Sequence, residues 1–179
     1  MISILFLALA FIADIIIASF IGVGFVASLN SVGTNLFFIT LILVTYKEPL
    51  FKSIMTAIAC GFIMDLFNID AMYINTVVYL ISVLIAKAWA TRVNYTIIEL
   101  FFTILSVVFV KEILLYLYYT IIVGVNLSFS IYLSTYLVYT LLFSTLFIFI
   151  GVLIKKYNID KEIYEQRIKG KRASLSNRY

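Results

Sequence analysis

Four ionisable residues sit where the surrounding sequence is almost wholly apolar: Asp14, Asp65, Lys111 and Glu112. A charge in such a run is costly to bury, so it is paired inside the protein or placed for chemistry. Two carboxylates on separate helices with a nearby lysine are the parts of a proton relay or of paired acid–base catalysis. The rest of the inventory is sparse. With no histidine, His-based catalysis, His metal sites and Ser-His-Asp triads are excluded. The one cysteine, Cys60, lies in an apolar run and forms neither an internal disulfide nor a cysteine-rich zinc site. One proline and seven glycines leave no Gly-rich phosphate loop. No catalytic residue, cofactor or metal is expected. The expected arrangement is a buried electrostatic cluster in which Lys111 pairs with Asp65 or Asp14, with Glu112 satisfied separately. Because the runs carrying these groups are otherwise apolar, the cluster's expected work is fixing helix register, not moving protons.

The elements that must hold these residues follow from composition. Of 179 residues, 64% are apolar and 12% charged, against roughly 45–50% and about 25% in an ordinary soluble domain. So much apolar surface suits a bilayer. A span needs about 20 apolar residues plus a turn, so the length accommodates about six. Six apolar runs are visible, at about 2–21, 32–46, 53–67, 72–86, 97–123 and 131–154. The expected fold is all-α, a polytopic six-helix transmembrane bundle over residues 1–154, followed by a basic cytoplasmic tail over 155–179. Ala8-Leu9-Ala10 looks like a signal-peptide cleavage site, but no positive segment precedes it, so the first run reads as an uncleaved helix.

Charge placement gives orientation. With the N terminus inside and six crossings, the inner loops hold Lys47, Lys52, Lys87 and Arg92. The tail holds Lys155, Lys156, Lys161, Arg167, Lys169, Lys171, Arg172 and Arg178. Only Lys111 remains of the 13 basic residues, and it lies within a run, so both termini are placed on the cytoplasmic side. The tail also carries Asp160, Glu162 and Glu165, and its net positive charge draws it to anionic inner-leaflet lipid or to a partner. Nothing supports nucleic-acid binding. Counted inward from the cytoplasmic ends, Asp14 and Asp65 lie about 18 Å deep and Lys111 about 21 Å. Ala10, Asp14, Ala18 and Gly22 recur at intervals of four, as do Ser53, Ala57, Gly61 and Asp65. Small residues so spaced allow close helix contact, which directs both aspartates into the bundle. Tyr46, Tyr73, Tyr95, Tyr132 and Tyr157 fall near run ends, as an interfacial belt would place them.

The stretch Gly61-Phe62-Ile63-Met64-Asp65-Leu66-Phe67, followed by the apolar run 72–86, resembles the rod shape-determining protein MreD family. That family has a Gly-apolar-apolar-x-Asp-Leu element closing one helix before a short turn and an apolar helix. Thr34-Asn35-Leu36 looks like the family's Pro-Asp/Asn-Leu start of the second helix, with threonine for proline. The glycine after the family's Asp-Leu turn is replaced by Asn68-Ile69-Asp70-Ala71. The resemblance covers residues 32–90. It implies a non-enzymatic scaffold in the bacterial elongation machinery, beside MreC, the actin-like MreB filament, and the RodA glycan polymerase with its transpeptidase. Asp65 would be a packing or partner-facing position.

Two other classes share features with the chain. Substrate-binding S components of energy-coupling-factor vitamin transporters are six-helix proteins of similar size, related in architecture to the MreD family. Their Ala-x-x-x-Ala pair on the first helix is absent: the alanines are Ala8, Ala10, Ala13 and Ala18. Only the outer segment 22–31 is long enough for a ligand lid. Intramembrane aspartyl proteases carry Tyr-Asp and Gly-x-Gly-Asp motifs, whereas here Ala13 precedes Asp14 and Met64 precedes Asp65.

Overall fold

The computed structural model describes residues 2–21, 34–67, 73–90, 96–126 and 128–176. The expected outer lid at 22–31, the turn at 68–71, and Arg92, Tyr95 and Arg178 lie outside the described residues. Six helices make up the fold, with no strand among the described residues. They are α1 (Ile2–Ile21), α2 (Leu36–Thr45), α3 (Leu50–Asp65), α4 (Ile74–Ala90), α5 (Ile97–Ile121) and α6 (129–176). The last runs unbroken through a short α-helical piece (Phe129–Ile131), a π-helical stretch (Tyr132–Leu137) and a long α-helix (Val138–Ser176). Two helical segments, Ile97–Ile121 and Phe129–Tyr157, are long and apolar enough to cross a membrane. Ile4–Ile17, Leu36–Thr45 and Ile74–Ala90 are apolar but shorter.

The shortest helix is the centre of the bundle. At ten residues α2 is about 15 Å long, half the thickness of a bilayer core. Its sequence, LFFITLILVT, is hydrophobic all round, and a helix of that kind must be enclosed. Phe37, Phe38, Ile39, Leu41, Ile42, Leu43 and Thr45 are buried, and α2 packs against each of the other five helices. The packing of α1 is against α2, with Phe11 edge-on to Phe37 at 5.2 Å between centroids. The main apolar cluster surrounds α2 and includes Ala57 and Cys60 of α3, Tyr79 and Val83 of α4, Ile104 and Val108 of α5, and Ile148 and Val152 of α6. A second, tyrosine-rich cluster joins Ile74 and Val78 of α4, Leu115 and Tyr119 of α5, and Tyr132 and Leu137 of α6.

Neither end of α2 is closed by its own side chains. At the N terminus Asn35 is left-handed (φ 56°) and makes no cap bond to the helix. The aspartate that fills this place comes from α1. At the other end the Lys87 ammonium of α4 donates to the carbonyls of Tyr46, at 3.1 Å, and Glu48. Negative charge at the amino end and positive charge at the carboxyl end both match the helix dipole. The remaining helix starts follow local rules. Pro49 presets the backbone for α3, and the Ser53 hydroxyl reaches back to the Thr45 and Pro49 carbonyls at 3.1 Å each. This starts α3 three residues before the apolar run, so Lys52 lies in the helix and pairs with Glu48 at 2.6 Å. Thr96 caps α5: its Oγ1 accepts from Glu99 N at 3.3 Å and donates to Glu99 Oε2 at 2.6 Å.

Two features differ from expectation. Polarity changes at residue 155, but the backbone does not: α6 stays helical to Ser176, a continuation of the apolar helix. Of the five tyrosines assigned to an interfacial belt, Tyr73 and Tyr157 are exposed, but Tyr46 and Tyr132 are buried. Tyr46 closes the end of the enclosed helix α2, and Tyr132 has a buried carboxylate as its partner.

A buried polar layer as the candidate functional site

Asp14, near the middle of α1, points at the start of α2. Its carboxylate accepts from Leu36 N at 3.3 Å, Phe37 N at 3.1 Å and the Thr34 hydroxyl. These amides are among the helix donors that no intrahelical carbonyl can satisfy. Asn35, released by its left-handed backbone, turns its side chain to the opposite side. Its Nδ2 donates to Glu112 Oε1 at 3.0 Å and lies 3.4 Å from Ser144 Oγ, and its Oδ1 accepts from the Lys111 ammonium. Lys111 also pairs with Glu112 Oε1 at 3.0 Å and sits 5.4 Å from the centroid of the Phe38 ring. The Tyr132 hydroxyl of α6 reaches Glu112 Oε2 at 3.3 Å and the Glu112 carbonyl at 3.1 Å. All seven residues are buried.

Charge balance within the layer is close. Two carboxylates face one ammonium, and the amino end of α2 supplies roughly half a positive charge more. Asp14 takes the helix end, while Glu112 takes the lysine, the asparagine amide and the tyrosine hydroxyl. Each carboxylate thus takes donors from outside its own helix, and Glu112 takes its neighbour Lys111 as well. The layer ties α1 to α2, and α2 to α5 and α6.

The expected pairing of Lys111 with Asp65 or Asp14 does not form. No ion pair within 4.0 Å joins Lys111 to either aspartate, and its partner is Glu112, which was expected to be satisfied separately. The physical reason is competition. Both aspartates lie beside helix amino ends, where several aligned amide donors outweigh one ammonium. Although Lys111 and Glu112 leave the α5 axis about 100° apart, their long side chains converge on Asn35.

Asp65 forms a separate site, built like the first. It closes α3, and its carboxylate accepts from Asn75 N at 2.8 Å, Thr76 N at 3.0 Å and Thr76 Oγ1 at 2.6 Å, at the start of α4. Gly61, one turn earlier, makes this approach possible. A Cβ there would lie 2.8 Å from Thr76 N and 2.9 Å from Asn75 O, both backbone atoms. Ser53, Ala57, Gly61 and Asp65 are all buried along α3; Ala10 and Asp14 are buried on α1. A rule connects the three carboxylates: each sits on an odd-numbered helix and engages the start of the next even-numbered one. Asp14 holds α2, Asp65 holds α4, and Glu112 holds Tyr132 of α6.

Sequence reasoning missed Thr34, Asn35, Tyr132 and Ser144 as members of the layer. Asn35 had a usable signal, an asparagine directly before an apolar run, which is a helix-start residue able to adopt the left-handed region. Ser144 had only its polarity within an apolar run. Lys155 and Lys156 lie half-buried where α6 leaves the bundle, and Arg167, Lys169, Lys171 and Arg172 lie on its helical extension. No cluster of three acidic or cysteine side chains suited to a metal ion occurs among the described residues.

Removing either aspartate leaves buried amides unpaired. We expect Asp14→Ala and Asp65→Ala each to cost about 1–3 kcal/mol, with Asp→Asn milder because one acceptor remains. Thermal unfolding of the purified chain in detergent measures this. Unchanged midpoints for both alanine variants would show that the trans-caps contribute nothing.

Compared with known proteins, the chain matches no family model, no curated protein and no solved structure.

Proposed function

We propose that the chain is a non-enzymatic membrane scaffold of the bacterial cell-elongation machinery, acting in the manner of MreD proteins. In this reading it crosses the cytoplasmic membrane six times with both termini inside, and links MreC, the MreB filament, and RodA with its transpeptidase. The observation that carries the reading is the use of the Gly61–Asp65 element. The segment that resembles the family motif works as a packing device, with the glycine admitting the α4 backbone and the aspartate closing its first turn. The polar layer supports it too, since its charged groups are engaged in holding helices together.

Membrane placement rests on the outer surface. Leu5, Leu9 and Ile12 of α1, Phe51, Met55 and Phe62 of α3, and Leu142, Leu146 and Phe149 of α6 are all exposed. Apolar surface of this extent is a liability in water and an asset in lipid. The shortness of α2 is no obstacle, because the other helices surround it. Lys155 and Lys156 fall where anionic headgroups of the inner leaflet would meet the departing α6.

Depleting the protein from its rod-shaped host should round the cells and scatter wall insertion. Copurification from mild detergent through a C-terminal tag should recover MreC, RodA or the transpeptidase. Rods with normal wall insertion would overturn the proposal. Recovery of paired ABC ATPases with a coupling subunit would instead make the chain a vitamin-capture component.

A further inference from the structure

The helices differ in how much apolar length they offer to a bilayer. On the α3–α4 hairpin the exposed aromatic residues nearest the ends are Phe51 and Phe67 on one strand of the chain, Tyr73 and Trp89 on the other. At 1.5 Å per residue each pair is about 24 Å apart. Lys52 and Lys87 bound these runs at one end, and Asn68 and Asp70 follow in the sequence at the other. The α5–α6 hairpin is far longer. Ile98 and Ile122 on α5, and Phe129 and Ile154 on α6, are exposed and about 36 Å apart. The shortfall lies at one end. Helices α2 and α6 run in parallel, since Asn35 lies beside Ser144 at one end and Leu43 beside Gly151 at the other. Lys47 and Lys155 each follow four residues later, and Lys87 reaches the carbonyls of Tyr46 and Glu48. These lysines therefore mark one plane, and measured from it the α3–α4 hairpin stops about 12 Å short of α6.

We propose that the outward surface of α3 and α4 binds short-chain phospholipid in preference to long, thinning the adjoining bilayer at its outer leaflet. This rests on the membrane reading above, which sets the plane of lysines at the inner leaflet. A hydrocarbon core is about 30 Å thick, so an undeformed bilayer overshoots this flank by about 6 Å. Mismatch of this sign is relieved when lipid thins beside the short segment. Lipid also fits the flank better than a protein helix does. The small residues Ser53, Ala57 and Gly61 are buried on the inward side of α3. Its outward side is left chiefly to Phe51, Met55, Phe62 and Leu66, too bulky for close helix contact. A partner helix of ordinary span would overhang the hairpin by the same distance as the lipid. The deficit is confined to this flank, because α1 runs about 28 Å from Ile2 to Ile21 and α5 and α6 are longer still.

The test uses the full chain carrying Trp89→Phe, which removes its one tryptophan, with a single reporter introduced as Phe62→Trp on α3 or Leu146→Trp on α6. Both positions face outward, 47% and 65% exposed, and both lie about 15 Å from the plane of lysines. Each variant is reconstituted in vesicles of phosphatidylcholine with sixteen-carbon or twenty-two-carbon monounsaturated chains. Dibrominated forms of either lipid, which quench tryptophan on contact, compete with the unbrominated other. At Phe62→Trp the short lipid is expected to be favoured about threefold, and at Leu146→Trp it should gain no advantage. The same chain-length preference at both reporters would overturn the proposal. So would a shielded reporter at Phe62→Trp beside a quenched one at Leu146→Trp, because a second copy of the chain would then cover the flank. Should Phe62→Trp not fold, Met55→Trp on the same face of α3 takes its place. Absence of quenching at both flanks is a distinct outcome: it removes the membrane reading, and the thinned lipid with it.

Discussion

Lys111→Met is expected to destabilise the bundle by about 3–5 kcal/mol, the loss typical of removing one partner from a buried ion pair. The ammonium is 3% exposed and contacts both Glu112 and Asn35. Without it, Glu112 is left in an enclosed site with only the Asn35 amide and the Tyr132 hydroxyl as donors, and Asn35 loses the donor to its Oδ1. The pair's own net contribution is much smaller than this penalty, because desolvation offsets most of the Coulomb attraction. Lys111→Met combined with Glu112→Gln should therefore recover at least half of the loss. The neutral amide introduced by Glu112→Gln would keep an acceptor for Tyr132 without leaving a bare charge. Thermal unfolding of both variants in detergent distinguishes the cases. If the single change costs under about 1 kcal/mol, the layer is wet and loosely held, contrary to its burial.

Gly61→Val carries the second large effect, for a different reason. A Cβ at this site meets backbone on α4, and backbone cannot rotate away as a side chain does. Overpacking of this sort costs about 1–3 kcal/mol. Here it also pushes α4 away from Asp65, whose three acceptor contacts need the present spacing. The comparison is Gly151, where an added Cβ would meet Leu43 Cδ1, the end of a flexible side chain. Gly151→Ala should be tolerated within about 1 kcal/mol, since Leu43 can shift rotamer. Equal losses at the two glycines would mean that the α3–α4 contact is not the tight one.

The helices were legible because apolar runs and polar breaks are one-dimensional signals. Expected runs and observed helices agree within a few residues for α1, α4 and α5. The exceptions have identifiable causes. At α3 a proline starts the helix before hydropathy rises. At α6 helicity continues after hydropathy falls, because the tail is rich in good helix formers such as Lys, Glu, Gln and Arg. In the site, small-residue spacing placed Asp14 and Asp65 inside the bundle, but depth along a helix does not name a partner. Lys111 and Asp65 lie at comparable depths in the sequence count and still serve different helix ends. Sequence also did not reveal that α2 is central. A short apolar run reads alike whether it faces lipid or five other helices.

The caps on α2 bear on how the chain is made. An isolated ten-residue helix is marginal at best, because nucleation costs more than so few hydrogen bonds return. The acceptor for its first amides comes from α1, synthesised earlier, but the cation on the Tyr46 and Glu48 carbonyls just past its other end is Lys87, which leaves the ribosome 41 residues after Tyr46. The carboxyl end of the innermost helix is therefore completed in two stages of biogenesis, its Thr45 carbonyl taken early by Glu48 N and the Ser53 hydroxyl, and its compensating positive charge delivered only with the fourth helix.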